Sequence, residues 1–73
     1  EISIHEYSNA IIHLMKQKGS LSIHVLNREI CSLFGIKRMS PALEARIGQG
    51  ISLLMDRGEL RKEGEELMYV PQD

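Results

Sequence analysis

The chain carries a single cysteine, no apolar run longer than five residues and no large excess of either charge. Cys31 alone permits no internal disulfide, which fits a reducing, cytoplasmic setting. The longest apolar stretch, Ile51-Ser52-Leu53-Leu54-Met55, already includes a serine. Neither a membrane span nor a signal-peptide core can be read from it, so no membrane partner is expected. Nine Lys and Arg against ten Asp and Glu give a net charge of -1 and a pI near 6.3. A free-standing DNA-binding domain is usually basic, so this balance argues against strong independent binding to phosphates.

What remains is an ordinary globular composition, 42% hydrophobic and 26% charged. Seventy-three residues make one domain, 1–73. A chain of about 60 residues buries only about 60% of its unfolded surface, so nearly every apolar position is needed for the core. The start at Glu1 rather than Met is read as the mark of a piece of a longer protein.

The stretch Ser40 to Val70 organises the rest. Ser40 is a helix N-cap and Pro41 stands at the first helical position, where a missing N–H costs nothing. Leu43, Ile47, Ile51 and Leu54 then form an apolar stripe, and Gly58 ends the helix. A β-hairpin follows. With Glu63-Gly64 as its two-residue turn, Lys62 faces Glu65, Arg61 faces Glu66 and Leu60 faces Leu67. Leu60, Leu67 and Tyr69 then share the buried side.

Two helices precede this unit. Ser3 and Glu6 make a capping box, with Ile2 and Tyr7 at the positions of a hydrophobic staple. Ile4, Tyr7, Ala10, Ile11, Leu14 and Met15 face the core, and Gly19 closes the helix. Lys16 and Lys18 complement its C-terminal dipole. Leu21-Ser22-Ile23 reads as a short strand. A second helix over residues 24–34 carries Leu26, Ile30, Leu33 and Phe34 on one face, with Gly35 as its stop. Helix, short strand, helix, helix and hairpin is the order of a winged helix-turn-helix domain: α+β, three helices and a small three-stranded antiparallel sheet.

Catalytic chemistry finds no footing. His5, His13 and His24 are scattered without the spacing of paired metal ligands, so no metal and no cofactor is expected. Cys31 reads as packing, because no activating neighbour other than Arg28 stands near it in sequence. Gly48-Gln49-Gly50 resembles the start of a phosphate loop but lies inside a helix and follows no strand. Each glycine costs a helix about 1 kcal/mol relative to Ala, which close approach of another backbone at both positions would explain.

Nucleic-acid contact has more support. Residues 36–57 hold Lys37, Arg38, Arg46 and Arg57 against Glu44 and Asp56, a local +2. Residues 58–70 hold Arg61 and Lys62 against Glu59, Glu63, Glu65 and Glu66, a local -2. The entry to the third helix is therefore favourable for DNA and the wing is not. On the outward face, Ala45, Gln49, Ser52 and Asp56 are flanked by Arg46 and Leu53. The glutamine suits an adenine edge, and the small residues suit a groove or a protein partner equally well.

The runs Leu33-Phe34-Gly35-Ile36-Lys37-Arg38, Arg46-Ile47, Leu53-Leu54-Met55-Asp56-Arg57-Gly58-Glu59-Leu60 and Leu67-Met68-Tyr69 carry a family likeness. Together they resemble the winged-helix domain of unknown function found near the C-terminus of large superfamily I helicase–nuclease proteins. The likeness spans nearly the whole chain. Met39-Ser40-Pro41 replaces that family's usual Gly-Ser connector, and Tyr69 stands where it typically has Trp. The resemblance implies a non-catalytic accessory module that assists DNA binding or docks on neighbouring domains of a parent protein. The expected contacts are Lys37, Arg38, Arg46 and Gln49, on duplex DNA bound weakly. The rival expectation is a protein-interaction module, docking or dimerising, with no DNA binding of its own.

Overall fold

The computed structural model describes residues 2–73. Helix α1 (Ile4–Lys18) is followed by strand β1 (Ser20–Ser22), helix α2 (Ile23–Leu33), helix α3 (Pro41–Asp56) and strands β2 (Leu60–Glu63) and β3 (Glu66–Tyr69). The strands form one antiparallel sheet in the order β1-β3-β2. This is the winged-helix arrangement of the expected α+β class.

Local chemistry sets the helix starts. The Ser3 hydroxyl accepts the Glu6 N–H at 3.1 Å while the Ser3 N–H donates to Glu6 Oε1 at 3.1 Å, completing the capping box. Ser40 accepts the Leu43 N–H at 3.1 Å, with Pro41 in the first turn. Ser22 ends β1 and also caps α2, accepting the Val25 N–H at 3.1 Å. Because that cap comes at Ser22, β1 and α2 both begin one residue earlier than the sequence pattern suggested, and Ile23 is helical rather than the end of a strand.

Two helix ends use the same device. Gly35 adopts φ +67° and Gly58 φ +75°, a region where a side chain would be strained. At the first, Ile36 N–H reaches Cys31 O at 2.8 Å and Gly35 N–H reaches Ser32 O at 3.2 Å. At the second, Glu59 N–H reaches Leu54 O at 2.9 Å and Gly58 N–H reaches Met55 O at 3.0 Å. Each is a Schellman closure that pairs carbonyls the helix would otherwise leave open.

The first closure explains one correction. Leu33 was expected in the core and is 56% exposed. Phe34 and Ile36 occupy that end of α2 instead, both packed against the core, and the Phe34 ring meets Tyr7 edge-on at 5.4 Å between centroids.

The core joins Tyr7, Ile11 and Met15 of α1, Leu26 and Ile30 of α2, the full α3 stripe, Leu60 and Leu67. Ile4, Leu14 and Tyr69 are only half-buried. Truncating a buried Leu or Ile to Ala costs about 2–5 kcal/mol, a large share of the roughly 5–15 kcal/mol that stabilises a small domain.

Helices α1 and α3 approach closely at Gly50. A Cβ added there would lie 3.1 Å from Ile11 Cδ1 and 3.4 Å from Ser8 Oγ. Ser8, overlooked by a reading of apolar residues alone, is buried and donates to the Ile4 carbonyl at 2.9 Å. Gly48 does not share this role, because a Cβ there meets nothing within 4 Å.

The hairpin corrects the expected register. Leu60 pairs with Tyr69, Arg61 with Met68, Lys62 with Leu67 and Glu63 with Glu66, so the turn is Gly64-Glu65. Gly64 has φ +64° and no residue other than glycine has positive φ among the described residues. A two-residue turn with glycine first follows the type II′ pattern; the expected Glu63-Gly64 turn would have forced Glu63 into a positive φ. The register slides by two residues, which keeps every side chain on its expected face. Leu60, Leu67 and Tyr69 therefore still share one side.

Candidate nucleic-acid interface

Electrostatics at the candidate interface follow from where each charge is held. Helix α3 has one cation, Arg46, and it is half-buried. Its Nη2 donates to the Ile2 carbonyl at 3.0 Å, which ties the segment before α1 to the middle of α3. The exposed side of α3 therefore presents Ala45, Gln49 and Ser52, with carboxylates at Glu44 and Asp56 and no exposed Lys or Arg. An open groove of about 750 Å³ runs along it, with Ile4 and His5 of α1 on one wall and Gln49, Leu53 and Asp56 on the other.

Lys37 and Arg38 lie exposed in the connector between α2 and α3. Lys37 lines a second concavity of about 450 Å³, walled by His24, Arg28 and Glu44 and floored in part by Ile36 and Met39. The four expected contacts thus do not meet in one place. Lys37 and Gln49 line different concavities, and Arg46 lines neither. Sequence reasoning gave Arg28 and His24 no part in binding, yet His24, Asn27, Arg28 and Cys31 fall at the i, i+3, i+4, i+7 spacing that shares one face of α2. That polar stripe was the available signal.

The wing's cations do not oppose carboxylates as expected. Arg61 stands across from Met68 and Lys62 across from Leu67. Arg61 pairs instead along its own strand, Nη2 to Glu63 Oε2 at 2.9 Å, with both side chains about 60% exposed. Such a pair contributes little, roughly 0–1 kcal/mol. Glu63 and Glu66 are directly opposed, and Glu65 is exposed in the turn beside them. The wing tip is acidic.

Among the described residues, no group of three His, Cys, Asp or Glu side chains is placed to hold a metal ion. No helix among these residues is long and apolar enough to cross a membrane. The chain matches no known family model and no curated protein.

Proposed function

We propose that this chain is a non-catalytic accessory module that assists nucleic-acid binding within a larger DNA-processing protein. The observation that carries the reading is the exposure of Lys37 and Arg38 in the connector that leads into α3 of a winged helix. A fold does not by itself specify a function, so the charges matter more than the topology. The likeness to the winged-helix domain of superfamily I helicase–nuclease proteins supports the same role. ATPase and nuclease chemistry would then reside in other parts of the parent protein.

Two phosphates neutralised by Lys37 and Arg38 on duplex DNA correspond to a slope of about -1.8 in log affinity against log salt. Anisotropy titrations with a labelled duplex should therefore weaken about tenfold between about 50 and 200 mM salt. Replacing both residues by Ala should flatten the slope. Absence of binding at the lower salt by both this duplex and a single strand of the same length would defeat the reading.

A second reading, a protein-docking module, is favoured by the exposed face of α3, which offers small side chains and carboxylates but no exposed cation. Self-association or partner capture that is abolished by a bulky residue at Ser52, without any DNA binding, would select it.

A further inference from the structure

Three concavities on the surface of the described residues differ in sign. The groove along α3 has Asp56 and no Lys or Arg on its walls. A third, between α2, α3 and β2, balances Lys62 against Glu44. The one between α2 and the connector has Arg28 and Lys37 against Glu44 alone, with His24 as a further polar group on its wall. Arg38 is exposed next to Lys37. Of these, the concavity between α2 and the connector alone combines a basic rim with an apolar floor, made by Ile36, Met39 and the half-buried Cys31.

We propose that this concavity, and not the outward face of α3, holds nucleic acid, and that the ligand is a single strand. The inference rests on the nucleic-acid reading above and names its site. Phosphates lie on Arg28, Lys37 and Arg38. One unstacked base rests against Ile36 and Met39, with the planar Arg28 guanidinium available to stack on it. Glu44 lies at the α3 side of the concavity and repels phosphate there, which places the backbone along the α2 and connector side. A duplex keeps its bases stacked and has no base to offer the floor. Single strands should therefore bind more tightly than a duplex of the same length. The usual division of labour in a winged helix is set aside here, because α3 lacks the exposed cations to approach a phosphate-lined groove.

The only cysteine of the chain lines this concavity and supplies a direct footprint. A labelled oligothymidylate of about 12 nucleotides, within the range a small binding surface covers, is titrated by anisotropy at about 50 mM salt. The rate of Cys31 alkylation by iodoacetamide is then measured with and without saturating oligonucleotide. Several-fold protection of Cys31 is expected. Arg28→Ala and Lys37→Ala should each weaken binding several-fold, and Gln49→Ala should leave it unchanged. All three side chains are exposed, so folding is not at stake. Saturable binding with an unchanged alkylation rate, or binding lost in Gln49→Ala but kept in Arg28→Ala, overturns this site while leaving the nucleic-acid function standing. A duplex that binds as tightly as the single strand likewise overturns the assignment. No anisotropy change with the folded chain removes the proposed function itself, and this site with it.

Discussion

Gly48 and Gly50 lie two residues apart on the same helix, and opposite outcomes are expected when each is changed to Ala. In a helix interior Ala is favoured over Gly by about 0.8–1 kcal/mol. At position 48 the new Cβ meets nothing within 4 Å, so the whole gain is realised. At position 50 it would sit 3.1 Å from Ile11 Cδ1 and 3.4 Å from the Ser8 hydroxyl. Ile11 has no exposed surface and Ser8 is bonded to the Ile4 carbonyl, so neither has open space to move into. Overpacking of this kind costs about 1–3 kcal/mol, which cancels or outweighs the helical gain. Thermal unfolding followed by circular dichroism separates the two. A change of 1 kcal/mol moves the midpoint of a domain this size by about 4–8 °C. Gly48→Ala should raise the midpoint by about that much, and Gly50→Ala should leave it level or lower it by up to roughly twice that. Equal stabilisation by both substitutions would refute the close approach of α1 and α3 at Gly50.

Three further outcomes follow from the same geometry. Arg46→Ala removes the bond to the Ile2 carbonyl and should cost about 1.5–3 kcal/mol in urea unfolding; unchanged stability would mean that the tie does not hold in solution. Glu66→Lys replaces a like-charge pair across the hairpin by an opposite-charge pair and should stabilise by about 0.2–1 kcal/mol at low salt. A loss of stability there would indicate a different strand pairing. Leu33→Gln, at an exposed position, should shift stability by less than about 0.5 kcal/mol, whereas Leu26→Ala should cost about 2–5 kcal/mol; similar losses in both would place Leu33 inside.

The capping serines and the glycine stops were legible because each is a signal confined to one turn of helix, and the α3 stripe because its spacing repeats within a single helix. The hairpin register was not, since Glu63-Gly64 and Gly64-Glu65 are both two-residue turns and only the sign of φ at the first central residue separates them. Leu33 misled because it keeps the helical spacing of Leu26 and Ile30, yet Phe34 and, beyond the Gly35 closure, Ile36 are the residues that pack against the core at that end of α2. Ser8 and Gly50 share a contact that no apolar pattern encodes. At the candidate site, Lys37 and Arg38 were identified from charge alone, and both are exposed. Arg46 shows where counting fails, because its bond to Ile2 joins residues 44 apart in sequence.

The sheet has two margins, β1 and β2, and they oppose pairing with another strand in different ways. β1 is three residues long, too brief to template a neighbour, and it is held at both ends by Tyr69 N–H to Gly19 O and Ile23 N–H to Glu65 O. β2 is longer, and three of its four residues, Arg61, Lys62 and Glu63, are charged and exposed. Side chains that contribute little to holding the hairpin together thereby leave this margin charged against pairing with a further strand. Neutral β-branched replacements along this margin would leave the domain folded yet prone to stack strand upon strand.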